Sequence, residues 1–420
     1  MTLADPEAPD VLTEASELLV NSGDPETAAE AECFLAQIAW DALDASAVDE
    51  HVRHAVKLVR GRPPSAAHAQ ALSQAARFQM LGGRLSESIE TGTEAERMAT
   101  ELGLDAIRAD ALATVGTARG DLGDQRGDAD LETAIELAEA ANAPLPLSRG
   151  LNNLAWRYTG IDTQRAHDLT ERNYETQRRY GNVRQTWWAR GQLVDTAFET
   201  GRWDEAVEHA EAVIAYIEAG NPQYVEAQCR LVRSAIRFAR GDAGTFDAEI
   251  DLALTLAAEA TDPQAKGPVS IYAAYLRLWA GDRVGVHQLF DLSLETARTT
   301  DFGLRLIHYE VALLAALLEL DPAQLALPHV AVADTPRERA TAALLEGDLL
   351  GAADALVELG KVNDEAYLRL HVGSRLLAQG REDEGRAQIE RALAFYQGVR
   401  ATRFVAEAEA LTNDTHRQSA

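Results

Sequence analysis

Apolar residues recur every three or four positions on both sides of Gly201, from Val183 to Gly220. This spacing is typical of two amphipathic helices, and a glycine between them can adopt the left-handed conformation that ends a helix. A single helical hairpin cannot bury its own apolar face, so further copies must pack beside it. The pattern therefore predicts a hairpin that is repeated along the chain.

The predicted turns and breaks recur at a nearly constant interval. Turns fall at Gly160, Gly201, Gly241, Gly281 and Asp321, with separations of 41, 40, 40 and 40 residues. Breaks between hairpins keep the same rhythm at Asn182, Asn221, Asp262 and Asp301. These two markers predict an all-α, right-handed superhelical solenoid of about nine helical hairpins with a period near 40.

The turn Gly201-Arg202-Trp203-Asp204-Glu205-Ala206 is similar to the Gly-Asp-Tyr-Asp-Glu-Ala turn of tetratricopeptide (TPR) repeats. In that family an aromatic residue after the turn wedges between the helices, and a small residue lies at their closest approach. The resemblance implies these two roles for Trp203 and Ala206. It also implies a close approach at Gly373, which holds the small position in the last hairpin.

The same pattern divides the chain into five segments. We expect a disordered lead over residues 1–10, TPR-like repeats over 11–320 and an irregular, proline-containing connection over 321–337. C-terminal repeats with a capping helix should occupy 338–412, followed by a tail over 413–420. No linker is expected to divide the repeats into separately folding halves.

The stretch from Glu365 to Leu411 resembles the C-terminal helical repeats of large bacterial signalling ATPases, nucleotide cyclases and transcriptional regulators. That resemblance implies a partner-binding or inducer-sensing arm without catalysis, served by a separate ATPase or cyclase. The catalytic modules of that family are absent, since Gly360-Lys361 continues into Val362 and lacks the spacing of a phosphate-binding loop. The chain would then be a split-gene product or a fragment.

Composition narrows the classes of partner. The net charge of −28, from 67 acidic and 39 basic residues, argues against nucleic acid, whose binding depends on neutralising phosphates. The longest apolar run, Val311 to Leu318, falls short of the ~20 residues that a membrane span needs. The acidic start has no signal-peptide pattern, and Cys33 and Cys229 lie far apart in apolar stretches. We expect a cytoplasmic protein that contacts no membrane.

Candidate chemistry is sparse. His51 and His54 are three residues apart on a predicted helix, whereas a zinc protease signature needs histidines four apart with a glutamate after the first. A solvated helix face is the expectation for them. The histidines of the later repeats lie far apart, with no nucleophile placed beside them. No catalytic residue, metal ligand or cofactor is predicted.

One segment departs from the acidic composition. Between Leu147 and Arg190 there are eight arginines against four acids, interleaved with tryptophans and tyrosines. In TPR superhelices the first helix of each repeat lines the concave groove. The predicted groove residues are Arg149, Asn152, Asn153 and Trp156, together with Arg184 and Trp188 of the next first helix. Such side chains suit a peptide with an acidic group or a C-terminal carboxylate.

A structural interpretation of the same segment remains open. The aromatic residues can form inter-repeat core, and the arginines can pair with acids on neighbouring helices. The function that fits best is a non-enzymatic scaffold of a bacterial signalling or regulatory system that binds a protein or peptide. The alternative is a small-molecule (inducer) sensing arm separated from a signalling ATPase or nucleotide cyclase, which predicts a closed apolar pocket.

Overall fold

A computed structural model describes residues 7–41, 44–259, 263–298, 301–321, 325 and 334–418. Within these ranges the chain forms 21 helices and no strand. The prediction of an all-α, TPR-like helical-repeat solenoid is confirmed. The handedness and the count of about nine repeats remain predictions.

The helices fall into two compact units, Met1–Arg157 and Tyr158–Ala420. The first eight are α1 Ala8–Ser22, α2 Pro25–Asp41, α3 Ala45–Val59, α4 Ala66–Leu81, α5 Leu85–Leu102, α6 Asp105–Asp121, α7 Arg126–Ala140 and α8 Pro144–Tyr158. The boundary lies inside α8, so no linker composition marks it in the sequence. The sequence analysis expected no such division.

The second unit continues with thirteen helices in the described part of the chain. They are α9 Thr163–Tyr180, α10 Val183–Glu199, α11 Trp203–Glu218, α12 Glu226–Ala239, α13 Phe246–Glu259, α14 Pro263–Trp279, α15 Arg283–Arg298, α16 Asp301–Leu317, α17 Pro336–Glu346, α18 Leu349–Leu359, α19 Val362–Ala378, α20 Glu382–Gly398 and α21 Thr402–Gln418.

The hairpin at Gly201 has the predicted TPR-like geometry. Gly201 takes a φ of 76°, in the left-handed region that glycine adopts without strain. Trp203 is 2% exposed and Ala206 is fully buried, so the aromatic residue does wedge between the helices. A Cβ on Gly373 would lie 2.6 Å from Cγ1 of Ile389, which confirms the close approach of α19 and α20.

The first helices of neighbouring hairpins pack against one another within each unit. In the first unit α2 contacts α4, and α4 contacts α6. In the second unit α10, α12, α14 and α16 form the same kind of row. We call the surface formed by each row its inner face, and these two faces carry the polar residues described below.

The second unit differs from a simple solenoid because its last hairpins return to its first helices. The Thr163 hydroxyl donates a 2.8 Å hydrogen bond to the carbonyl oxygen of Leu359, 196 residues later. Arg240 donates to the carbonyl oxygen of Val399 at 3.2 Å, and α19 packs on α10. In an open solenoid each repeat contacts only its neighbours, so repeat spacing does not predict this return.

Several predicted boundaries shift in the structure. The first helix begins at Ala8, within the predicted lead, and the last helix continues to Gln418, within the predicted tail. The left-handed residue after α16 is Glu319, at φ 58°, rather than Asp321. Most of the predicted irregular connection, 322–324 and 326–333, lies outside the described residues.

None of the helices that the structure describes combines the length and apolar character needed to span a membrane.

Candidate functional site

Helix α8 places four of the predicted groove residues on one face. Arg149, Asn152, Asn153 and Trp156 follow the i, i+3, i+4, i+7 spacing that aligns side chains along a helix. The opposite register is apolar: Leu151 is fully buried and Leu154 is 2% exposed. The buried leucines agree with the register used to choose the groove residues, and the groove itself remains a prediction.

Asp110 of α6 connects α8 to the rest of the inner face. Its carboxylate pairs with Arg149 of α8 and accepts hydrogen bonds from Ser73 (2.8 Å) and Gln74 (3.3 Å) of α4. Arg149 also donates to the Thr114 hydroxyl at 2.8 Å. One carboxylate thus joins three consecutive first helices.

The row of linked side chains continues on both sides of Asp110. On α4, Arg77 donates to Gln37 of α2 at 2.5 Å. On α8, the Asn153 amide donates to the Thr117 hydroxyl at 2.9 Å. We call this row the polar ladder; it comprises Gln37, Ser73, Gln74, Arg77, Asp110, Thr114, Thr117, Arg149, Asn152, Asn153 and Trp156.

Asn152 and Trp156 lie on α8, the last helix of the ladder. Asn152 is half-buried and makes one long hydrogen bond among the described residues, 3.4 Å to Asn153. Trp156 is 46% exposed. The interpretation of the aromatic residues as core therefore does not apply to Trp156.

Some arginines of this segment pair with acids, as the structural interpretation expected. Arg157 bonds Asp128 at 2.9 Å, and Arg178 bonds Glu175 at 2.7 Å. With Arg149 on Asp110, these pairs offset part of the local positive charge. An acidic ligand therefore has less to recognise here than the sequence count of arginines indicates.

The other two predicted groove residues belong to the second unit. Arg184 and Trp188 lie one turn apart on α10. Arg184 is exposed, whereas Trp188 is partly buried and packs on the apolar core of that unit. The neighbouring Trp187 stacks on Tyr216 with ring centroids 4.2 Å apart. Whether these residues share a cavity with α8 remains a prediction.

The solvated helix face expected for His51 and His54 is only partly observed, because His54 is exposed but both side chains also contact a buried carboxylate. Their Nδ1 atoms lie 2.7 Å and 3.0 Å from the two carboxylate oxygens of Glu32, whose side chain is 6% exposed. The Ser16 hydroxyl donates to the same carboxylate at 2.6 Å. Glu32 lies on α2, so the pairing depends on a helix contact that helix spacing alone does not reveal.

A group of charged side chains that was not predicted from the sequence lies on the inner face of the second unit. We call it the charge cluster; it comprises Asp195, Glu199, Glu310, Arg337, Lys361 and Asp364. Lys361 lies at its centre, with Nζ 3.1 Å from Asp364, 3.4 Å from Glu199 and 3.9 Å from Glu310. Tyr309 donates its hydroxyl to Asp364 at 2.9 Å.

Burial and neighbouring charge shift the titration of these groups. Burial raises the pKa of Asp195 to about 7, and the pKa of Glu199 to about 8 although Lys361 opposes the change. Burial would lower the pKa of Lys361, but Asp364, Glu199 and Glu310 outweigh it and raise that pKa overall. Lys361 therefore stays charged at neutral pH while Asp195 and Glu199 titrate near it.

A sequence signal for the cluster did exist. Asp195 and Glu199 interrupt an apolar stretch of α10, and Glu310 interrupts another on α16. Lys361 is one of three lysines in the chain. The sequence does not reveal that α19 packs on α10, and this packing brings these residues together.

The described residues contain no group of three histidine, cysteine, aspartate or glutamate side chains placed to hold a metal ion.

No protein-family model matches the sequence, and no curated protein matches it. Solved structures with a similar fold include a Rap protein complexed with competence and sporulation factor, at 16% identity, covering 84% of this chain and 99% of that one, with a TM-score of 0.48. The apo form of the quorum sensor NprR from B. thuringiensis is 11% identical, covers 92% and 98% respectively, and has a TM-score of 0.47.

A third similar structure is a signal transduction ATPase with numerous domains and a tetratricopeptide repeat sensor, from Pyrococcus horikoshii. It is 13% identical over 92% of this chain and 55% of that one, with a TM-score of 0.38. At these TM-scores the likenesses carry no functional assignment. The hairpins themselves define the chain as a TPR-like helical-repeat protein.

Proposed function

We propose that this chain is a non-enzymatic scaffold of a bacterial signalling or regulatory system that binds an extended protein segment or peptide along the polar ladder of its first unit. The observation that carries the proposal is the ladder itself, which runs over four consecutive first helices and ends at the exposed Trp156. An extended peptide presents alternating N–H and C=O groups, so it needs donors and acceptors at regular steps.

The chemistry of the ladder indicates how the peptide is read. Asn152 and Asn153 carry amides that can both donate to and accept from a peptide backbone. Trp156 offers a large exposed ring for one apolar side chain, the kind of anchor that dominates binding energy at interfaces. Because Arg149 already pairs with Asp110, the proposal depends on the amides and the ring rather than on a carboxylate in the ligand.

The alternative function, a small-molecule-sensing arm, predicts a closed apolar pocket. A cavity of about 490 Å³ beside α15 is lined by Phe290, Leu294, Leu320 and Leu325, but also by His287, Asp291, Glu295 and Asp321. Its lining is therefore mixed rather than apolar. The ladder offers a more specific arrangement, and it favours the peptide.

The test is a selection of random peptides displayed on phage against the full chain, followed by fluorescence anisotropy with the selected peptide. Trp156→Ala should weaken binding about tenfold or more and leave the melting temperature unchanged, because the ring is exposed. Asn152→Ala should also weaken it. Tyr224→Ala, at a residue 56% exposed in the second unit, is the matched control and should bind as the wild type does.

Two results would contradict the proposal. Selected peptides that bind Trp156→Ala and Asn152→Ala as tightly as the wild type would place the site elsewhere. A strong fall in melting temperature for Trp156→Ala would show that the ring is packing rather than a contact for a ligand, since truncating a core Trp costs ~3–5 kcal/mol of stability.

A further inference from the structure

The charge cluster of the second unit contains more carboxyl groups than cations. Arg337 donates to both oxygens of Glu310, at 3.0 and 2.9 Å. Lys361 is shared by Glu199, Glu310 and Asp364. Asp195 is bonded by the neutral amide of Gln228 at 2.7 Å, and the described residues give it no cation. Four carboxyl groups therefore meet two cations.

Two buried polar atoms in or beside this cluster have no hydrogen-bond partner among the described residues. They are Oε2 of Glu199 and the hydroxyl of Tyr272. After burial, the charge of Glu199 is the largest influence that raises the pKa of Tyr272, so the two groups lie near each other. Buried polar groups are usually paired, and leaving one unpaired costs stability. The ionised form of Glu199 needs a partner that donates a hydrogen bond, since a carboxylate only accepts.

The geometry is that of a site rather than of a surface patch. Asp195 and Glu199 lie one turn apart on α10, so both carboxyl groups project from one side of the helix. Gln228 approaches from α12 and Tyr272 belongs to α14. The side chain of Glu199 keeps 21% of its exposure and that of Glu310 keeps 29%, so solvent reaches the cluster.

We propose that Asp195, Glu199 and Tyr272 form a binding site for a primary ammonium or guanidinium group. A cation with N–H donors supplies the hydrogen bonds that these groups lack, and its positive charge favours release of the protons that Asp195 and Glu199 hold near neutral pH. A bare metal ion fits less well, because no three ligating side chains of the described residues converge. The group can come from a free amine or from a lysine or arginine side chain of a protein. The site belongs to the second unit and does not depend on the polar ladder.

Isothermal titration calorimetry on the full chain tests the proposal, at ~0.15 M salt to screen general attraction to an acidic protein. The probes are putrescine as a free amine and Nα-acetyl-lysinamide as a lysine side chain. The tighter of the two identifies the source. Nα-acetyl-norleucinamide, which has the stem without the charge, and tetramethylammonium, which has the charge without N–H donors, should bind at least tenfold more weakly.

Variants locate the site. Glu199→Gln and Asp195→Asn each replace an ionisable carboxyl group by a neutral amide of similar shape, and each should weaken binding of the preferred amine about tenfold or more. Tyr272→Phe should weaken it by a smaller factor. Glu208→Gln, at an exposed acid on α11, is the matched control and should leave the affinity unchanged.

Three results would overturn the proposal. The first is the absence of binding of either amine by protein that circular dichroism shows to be folded. The second is equal affinity of Glu199→Gln, Glu208→Gln and wild type. The third is binding of tetramethylammonium as tight as that of the amines, which would indicate charge attraction without a built site. None of these results bears on the peptide selection described for the first unit.

Discussion

The indole Nε1 of Trp203 donates a 2.9 Å hydrogen bond to Oδ1 of Asn363, 160 residues further along the chain. The amide of the same asparagine donates to the carbonyl oxygen of Phe198 at the end of α10. Asn363 is 3% exposed and Trp203 is 2% exposed. One side chain at the start of α19 therefore satisfies both a turn carbonyl and the aromatic wedge of the central hairpin.

Asn363→Ala should destabilise the second unit. The change leaves the buried Trp203 N–H without a partner, at a cost of about 1–3 kcal/mol. It also removes one of two hydrogen bonds to the Phe198 carbonyl, which keeps the 3.0 Å bond from the Gly201 N–H. Urea unfolding followed by tryptophan fluorescence measures this. Asn413→Ala, at an exposed position on α21, is the control. Equal midpoints for the two variants would show that the hydrogen bonds of Asn363 do not hold the return of the chain.

Gly373→Ala should destabilise the last hairpin. The new Cβ would lie 2.6 Å from Cγ1 of Ile389 and 2.9 Å from the carbonyl oxygen of Gly385. The helices must separate, and overpacking of this kind costs about 1–3 kcal/mol. Gly398→Ala provides the comparison, since a Cβ there meets nothing within 4 Å. A thermal melt in which the two variants coincide would contradict the close approach.

The contacts that could be predicted are local ones. Gly201, Trp203, Ala206 and Gly373 lie within a hairpin, where helical spacing fixes which residues meet. The face of α8 with Asn152 and Trp156 follows from the same spacing. The partners of these faces could not be predicted, because Asp110 lies on another hairpin and Lys361 reaches Glu199 through a return of the chain. A repeat pattern in the sequence predicts each hairpin, but it gives no information on contacts between distant repeats.

Asp110→Ala should destabilise the first unit more than an ordinary surface change. It leaves the half-buried Arg149 without its carboxylate, and the buried Ser73 without its acceptor. The expected cost is about 2–3 kcal/mol, near the lower end for breaking a buried ion pair. Asp110→Asn, which keeps an acceptor oxygen, should cost less. Glu136→Ala on the exposed side of α7 is the control for urea melts of all three.

The order of the three urea midpoints shows whether Asp110 links several helices or forms only a surface ion pair. If Asp110→Ala melts with Glu136→Ala, then the ladder contributes nothing to stability, because exposed pairs are worth only ~0–1 kcal/mol. The polar ladder would then be a surface feature rather than a set of linked helices.

The last prediction concerns the pH dependence of stability. Glu199 has a raised pKa of about 8 in the folded chain, whereas in the unfolded chain it titrates near ~4.3. Between these values the folded state holds a proton that the unfolded state has released, so stability falls as pH rises. The buried His167 has a lowered pKa of about 4, so it changes stability only below pH ~6.5.

The window from pH ~7 to ~8 therefore reports mainly on Glu199, apart from the second half of the Asp195 titration. Above it Cys33 and Cys229 also lower stability, because burial raises the pKa of both thiols whereas unfolded thiols ionise near ~8.5. The free energy of unfolding of the wild type, measured by urea unfolding, should fall by about 1 kcal/mol across this window, which is roughly the value of one pKa unit. Its urea midpoint should fall with it. Glu199→Gln carries no titrating proton and should flatten the fall, whereas Glu208→Gln on the exposed side of α11 should follow the wild type. A wild-type midpoint that rises with pH, or a Glu199→Gln variant with an unchanged slope, would show that Glu199 is ionised in the folded chain.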